Sequence, residues 1–166
     1  MRESIKMKTE DFNFKFRVAG IIISDNKILT VNTRQDNCLY LPGGYVELGE
    51  TTEEAIIREL KEELLLDFEI KEYLGVLENY FEVEKRGKVH EISFYYLMSI
   101  PEELNKDDFS LIENDKGYII NHDFKWISLN KLKSYDFRPK VLVDILQEES
   151  KVFNHLIYNK IDWSIL

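Results

Sequence analysis

Between Gly44 and Leu66 the chain reads G-Y-V-E-L-G-E-T-T-E-E-A-I-I-R-E-L-K-E-E-L-L-L, and no other segment restricts the fold so tightly. Thr51, with Glu54 three residues on, carries the capping-box signature, so a helix starts there. An α-helix turns about 100° per residue. With Glu59 as origin, Glu63 lies at about +40° and Glu62 at about −60°, so three carboxylates share an arc of roughly 100°. Ile57, Leu60 and Leu64 fall on a second face, which is expected to pack on a sheet. Glu54, Arg58 and Lys61 make a third, mixed face. Like charges at i,i+4, as in Glu59 and Glu63, cost a few tenths of a kcal/mol on an exposed helix. A bound cation would offset that cost. A solvated acidic helix could also tolerate it, so the triplet alone decides nothing.

The whole chain narrows the choice. At 166 residues it is expected to be one domain spanning 1–166, long enough to bury a core without disulfides. Residues 1–10 leave room for a flexible lead-in. Net charge is −9, from 22 Lys+Arg against 31 Asp+Glu, which argues against stable nucleic-acid binding or attachment to an anionic membrane. Cys38 is the single cysteine, so no disulfide framework or C-x-x-C zinc pair exists, and a reducing, cytoplasmic setting is the default. No apolar run resembles a signal peptide or a membrane span.

Periodicity predicts an α+β chain. Phe12–Ser24 reads as a strand that becomes buried on both faces, turned at Asp25-Asn26 into a partner over Lys27–Thr33. Cys38–Leu41 is a short strand stopped by Pro42-Gly43-Gly44. Phe68–Glu84, broken by Gly75, pairs with Val89–Ile100 through a tip at Lys85–Lys88. Glu102–Asp123 is polar and patternless, and reads as a loop. Phe124–Ile127 is a short strand, and Pro139 is expected at the N1 position of a second helix. The apolar tail 151–166 must pack on the domain or on a partner chain, which leaves room for a homodimer.

The Gly44–Leu66 segment resembles the Nudix box, the signature of the Nudix hydrolases, spaced G-x5-E-x7-R-E-U-x-E-E-x-G-U with U a bulky aliphatic. Gly44, Glu50, Arg58, Glu59, Leu60, Glu62, Glu63 and Leu66 all match, and Pro42-Gly43 precedes the box as it typically does in the family. The resemblance implies a mixed β-sheet sandwiched between helices (α/β/α). It also implies a Mg²⁺-dependent pyrophosphohydrolase, with Mn²⁺ as a second option, cleaving a nucleoside diphosphate linked to a group X. A nucleoside triphosphate or modified nucleotide is the first expectation for that small-molecule substrate, and a nucleotide sugar the second. The alternative is a regulatory domain that senses a nucleotide without hydrolysing it. Glu59, Glu62 and Glu63 inherit metal binding, with the Gly43 carbonyl as a further ligand, and one of the glutamates would serve as base. Glu50 inherits a supporting role. Arg58 either holds the carboxylates in place or pairs on the helix surface with Glu54 or Glu62. Leu65 departs from the pattern where the family has Gly. The helix is therefore expected to run on, with Asp67 taking the turn.

Outside the box the residues leave more open. Arg17 and Arg34 could each present a guanidinium to phosphate or be surface charges. Glu47 lies close enough in sequence to join the site. His90-Glu91 could form a second site or an edge-strand polar pair. Glu113, Asp115, His122 and Asp123 could supply a base or a base-recognising carboxylate, or belong to a solvated loop. Tyr45, Tyr80, Phe81, Tyr95 and Trp126 could stack on a nucleobase, or be core. His155 reads as structural. The proline that many ADP-ribose hydrolases carry about sixteen residues after the box is absent, with Glu82 in that region.

Overall fold

A computed structural model describes residues 3–33, 37–84, 87–115 and 117–161. Among the described residues there are eleven strands: β1 (Lys6–Lys8), β2 (Phe12–Ile21), β3 (Ile23–Ser24), β4 (Lys27–Asn32), β5 (Cys38–Leu39), β6 (Ile70–Val83), β7 (Gly87–Met98), β8 (Phe109–Asp115), β9 (Tyr118–Ser128), β10 (Asp136–Phe137) and β11 (Asn154–Asn159). Helix α1 covers Thr52–Leu64 and helix α2 Leu142–Gln147, with a 3-10 helix over Leu129–Ser134 between β9 and β10.

The principal sheet has the order β1-β2-β7-β6-β11 and is mixed. β2 runs parallel to β7, β7 antiparallel to β6, and β11 parallel to β6. A second sheet, β3-β4-β9-β8, is antiparallel throughout, and β5 pairs with β10. Neighbouring residues of β2 and of the segment after it separate the layers. Val18 and Ile22 join Ala55, Ile56, Leu60 and Leu64 of α1 in one buried cluster. Ile21 joins Leu132 of the 3-10 helix and Leu142, Val143 and Leu146 of α2 in another. The helices therefore lie on opposite sides of the sheet layer, the expected α/β/α arrangement. Leu60 and Ile56 are wholly buried. Burial of each such side chain stabilises by about 1.5–3 kcal/mol. Ile57, assigned to the core face by the helical arc, is only partly buried, and Ile56 takes its place.

The capping box is present as read: Thr51 Oγ1 accepts from Glu54 N–H at 3.1 Å, and Glu54 Oε2 accepts from Thr51 N–H at 2.8 Å. The far end of α1 corrects the sequence reading. Leu65 itself adopts the left-handed conformation (φ 59, ψ 24), with its N–H on the Lys61 carbonyl, while Asp67 pairs with Lys61 Nζ at 2.6 Å. The turn brings Leu66 and Phe68 back onto the core, and Leu65 is left 68% exposed. Left-handed geometry costs an L-residue about 1–2 kcal/mol. Leu65→Gly is thus expected to stabilise by about 0.5–1 kcal/mol, after the added unfolded-state entropy of glycine. A thermal melt should rise by roughly 1–4 °C; a fall would show that Leu65 packs usefully.

Two further expectations change. Residues 109–128 form a hairpin, not a loop leading to a short strand. Its strands eluded pattern reading because Ile112, Tyr118 and Ile119 face outward while Leu111 and Phe124 face the core. The second helix begins at Leu142, three residues beyond Pro139. Nearer the two ends, β1 pairs with β2, Ser4 bridges Glu47, and residues 154–159 extend the sheet beside β6, one of the two placements expected for the tail. The tail's Trp163, Ile165 and Leu166 lie outside the described residues, as does part of the β6–β7 tip. No described helix is long and apolar enough to cross a membrane.

Candidate functional site

The loop after β5 lies along β2 and delivers the glycines to α1. Gly20 N–H bonds Pro42 O at 2.9 Å, Val18 N–H bonds Gly44 O at 3.0 Å, and Arg17 bridges Tyr45. The fit leaves no room for side chains. Gly43 has φ 137, and a Cβ there would strike the Val18 carbonyl and sit 2.9 Å from Ala19 Cα. A Cβ on Gly44 would overlap the Glu59 carboxylate. Gly43 N–H donates to Glu63 Oε2 at 2.9 Å, which fixes the innermost glutamate against the turn.

Arg58 organises the remaining carboxylates. Its guanidinium reaches Glu50 Oε1 at 2.6 Å, Glu50 Oε2 at 3.1 Å, Glu59 Oε1 at 2.9 Å, Glu62 Oε2 at 3.1 Å and the Tyr45 carbonyl at 2.9 Å. Of the two roles considered for Arg58, the geometry supports holding the carboxylates. Glu54 is instead engaged in the capping box. Glu50 also accepts from Glu47 N–H at 2.7 Å, and its side chain is 2% exposed. Glu50 thus links the loop to the helix through Arg58.

These acids sit in an environment that opposes their charge. Burial pushes Glu59 up to about 7, against the lowering effect of Arg58. Burial, and then repulsion from Glu59, holds Glu63 well above the usual carboxylate range despite the Gly43 N–H. Glu62 is also raised by burial, although it is the most exposed of the three. Among the described residues, no three side chains of His, Cys, Asp or Glu already converge on one point as a metal would require. Arg58 engages Glu59 and Glu62, and the Gly43 N–H engages Glu63. The donor chemistry nonetheless fits a hard divalent cation: all-oxygen ligands, in a crowded and partly buried group whose charge lacks full compensation. Among the described residues, the Gly43 carbonyl has one long contact, from Arg17 Nη2 at 3.4 Å.

The raised Glu59 gives a pH prediction. A group whose folded value lies above its unfolded value of about 4.3 favours the fold below that pH, and loses the contribution as pH rises through about 7. In metal-free protein, Glu59→Gln should therefore melt progressively higher than the wild type between pH 5 and pH 8. A difference that shrinks with rising pH would reverse the assignment.

The other candidates separate. His122 is 2% exposed and cannot face a ligand directly, so it does not fit the substrate-contacting position expected of it. Its Nε2 lies 2.7 Å from Glu113 Oε2, and its buried Nδ1, without a hydrogen bond, lies 3.9 Å from Glu63 Oε1. It backs the site from behind. Asp123 accepts from Ser110 Oγ at 2.6 Å and Asn121 Nδ2 at 3.1 Å, and borders a separate, smaller cavity. It therefore does not join the box either. The hairpin register brings Glu113 to His122, a pairing that sequence spacing could not reveal. Arg34 lies outside the described residues. Trp126 is core, its Nε1 bonded to Asn105 O, and Tyr80 stacks on His90 away from the site. His155 pairs with Glu78 at 2.7 Å.

Arg17 and Tyr45 do meet at the site. The Arg17 guanidinium lies 5.6 Å from the Tyr45 ring centroid, its Nη1 is 3.7 Å from Glu91, and its buried Nε has no partner. Both residues line a cavity of about 1270 Å³ over the principal sheet, which reaches Tyr95 and Phe81. Six cationic side chains border it against three carboxylates (Glu82, Glu84 and Glu91), in a chain of net charge −9. Such a cavity is suited to an anionic ligand. Asn79, Glu91 and Ser93 on its floor escaped the sequence reading as a group. The available signal was a set of polar residues at inward-facing positions of β6 and β7.

Comparison with known proteins gives the same direction. A sequence model of the NUDIX domain matches residues 14–145. An ADP-ribose pyrophosphatase of Methanocaldococcus jannaschii is 42% identical over 86 residues, covering 50% of this chain and 49% of that protein. An 8-oxo-dGTP diphosphatase of Escherichia coli is 41% identical over 56 residues, covering 30% and 43%. The chain thus spans about half or less of the lengths of these relatives. Among solved structures, the mutator MutT protein of Bacillus halodurans superposes with TM-score 0.60 at 16% identity, covering 88% of this chain and 91% of that one. A UDP-X diphosphatase gives 0.57 at 17%, covering 90% and 68%. At these identities the structures establish a shared fold.

Proposed function

Because this chain belongs to the Nudix family, we propose that it is a Mg²⁺-dependent pyrophosphohydrolase that cleaves the diphosphate of a nucleotide-type small molecule. The observation that carries this reading is the meeting of Glu59 and Glu63 with the Gly43–Gly44 turn, beside Arg17 and Tyr45, which line a cation-bordered cavity. Glu59, Glu62 and Glu63 would hold the metal, with the Gly43 carbonyl as a further ligand. When bound, the metal supplies charge neutralisation at phosphate oxygens and acidifies water.

The chain's own groups do the rest. Arg17, with unspent donors, holds a phosphate oxygen and orients the diphosphate. Tyr45 shields one side of Arg17. One box glutamate would take the proton of the attacking water. Arg58 keeps the acids in register, and His122 with Glu113 supports Glu63 from behind. The names of the relatives divide among ADP-ribose, 8-oxo-dGTP and UDP-X. Nucleoside triphosphates and modified nucleotides are the first substrate class, with ADP-ribose and nucleotide sugars next. The acidic chain supports a small ligand over nucleic acid.

A nucleotide panel with Mg²⁺ tests the reading. Release of phosphate, pyrophosphate or a nucleoside monophosphate is expected from at least one substrate, and excess EDTA should abolish it. Full activity in EDTA would remove the metal assignment. Tight binding without turnover across the panel would favour a nucleotide sensor.

A further inference from the structure

Two arginines flank the box glutamates, and they are held very differently. Arg58 reaches Glu50, Glu59, Glu62 and the Tyr45 carbonyl with contacts between 2.6 and 3.1 Å. The Arg17 side chain has nothing as short among the described residues. Its Nη2 donates to the Gly43 carbonyl across 3.4 Å, its Nη1 faces Glu91 at 3.7 Å, and the Tyr45 ring centroid is 5.6 Å from its guanidinium. The buried Nε has no hydrogen-bond partner. A good N–H···O bond measures about 2.9–3.0 Å, so both oxygen contacts are loose. Arg17 therefore stands between two acceptors and is fixed to neither.

One of those acceptors has a second claimant. Under the pyrophosphohydrolase reading, on which this inference rests, the Gly43 carbonyl joins the box glutamates as a metal ligand. A guanidinium and a divalent cation on one carbonyl repel each other. The Arg17 charge also reaches the carboxylates themselves. Burial is the leading cause that raises Glu59 and Glu63, and Arg17 is among the groups that oppose it. Burial likewise works against the charge of Arg17, and Glu91 leads the groups that outweigh it, with Glu63 also contributing. The same side chain is thus attracted from both directions. Glu91, buried and lining the cavity, gives the guanidinium a counter-charge away from the metal ligands.

We propose that Arg17 competes with the metal for the Gly43 carbonyl, and that Glu91 sets metal affinity by drawing Arg17 away. Both are positioning residues for the metal site, and their effects have opposite signs. Arg17 weakens metal binding, because a metal on the carbonyl must first displace its guanidinium. Glu91 strengthens metal binding, and does so only through Arg17. The displaced guanidinium stays in the cavity lining, where it meets the diphosphate. A ligand shifts such an equilibrium by its preference for one position of the side chain over the other.

Titration of EDTA-stripped, dialysed protein with Mn²⁺, followed by electron paramagnetic resonance of the free ion, reads the competition without turnover. Arg17→Met should bind Mn²⁺ roughly fivefold more tightly than the wild type, and Glu91→Gln roughly fivefold more weakly. The double variant Arg17→Met/Glu91→Gln should match Arg17→Met, because Glu91 has no competitor left to draw off. If Arg17→Met does not fold, the double variant, which also loses the buried acid's charge, is compared with Glu91→Gln and should bind more tightly. In a crystal structure with Mn²⁺, Arg17 Nη2 should lie farther than 3.4 Å from the Gly43 carbonyl. Unchanged or weaker binding on removal of Arg17 would overturn the proposal. So would a Glu91→Gln effect that persists in the double variant, since Glu91 would then act on the metal by its own charge. Shifted affinities of the expected signs, with no nucleotide hydrolysed, would support the competition and remove the hydrolase reading. Metal-dependent hydrolysis with affinities unmoved would do the reverse, and a wild type that binds no Mn²⁺ would overturn both.

Discussion

Replacing Glu63 by Gln is expected to lower kcat by roughly 10²–10⁴-fold while raising the melting temperature of the metal-free protein. Most inactivating core substitutions lower both quantities. Here the carboxyl is buried beside Glu59 and held well above the usual carboxylate range, so its charge is a burden to the apo fold at neutral pH. Glutamine has nearly the same shape and retains an oxygen to accept from Gly43 N–H. It removes the charge that the metal needs. Stopped assays across the nucleotide panel, with thermal melts in EDTA, measure both effects. Activity within tenfold of the wild type would place Glu63 outside the machinery, and a lowered melting temperature would show that its charge is already compensated.

Arg58→Ala is expected to produce the largest loss of stability, about 3–5 kcal/mol, because it removes the guanidinium that offsets the buried Glu50 charge. The Glu50 side chain is 2% exposed, and Arg58 supplies it with contacts of 2.6 and 3.1 Å. Glu59 and Glu62 lose their counter-charge as well. A surface ion pair would contribute only about 0–1 kcal/mol, so the magnitude separates the two situations. Urea denaturation measures the difference. The double variant Glu50→Gln/Arg58→Met should recover much of the loss, since it removes the buried charge together with its counter-charge. A single-variant cost below 1 kcal/mol would mean that water reaches Glu50.

Much of this site was legible in the chain. The capping box at Thr51, the arc shared by Glu59, Glu62 and Glu63, and the glycine turn before them are local features, and all stand where the spacing put them. Helical geometry is enough to predict such placement, because neighbours within about eight residues are related by a fixed rotation. The end of the same helix was not legible. Whether Leu65 or Asp67 turns the chain depends on how strongly Leu66 and Phe68 are drawn to the core, and burial outweighed backbone preference.

By itself the sequence determined the acid helix, its family resemblance and the class of bond such a helix would act on. Tertiary structure decided which distant groups stand around it. Strand register set Glu91 beside Asn79, the β8–β9 hairpin brought Glu113 to His122, and the loop laid along β2 closed Gly43 onto Glu63. Removal of His122 and Asp123 from the ligand-facing set followed from the same pairing. The physical reason is that a strand's inward and outward faces alternate with period two, so a one-residue change of register reverses every side chain. Register is fixed by burial across the whole sheet, which no short stretch of sequence contains.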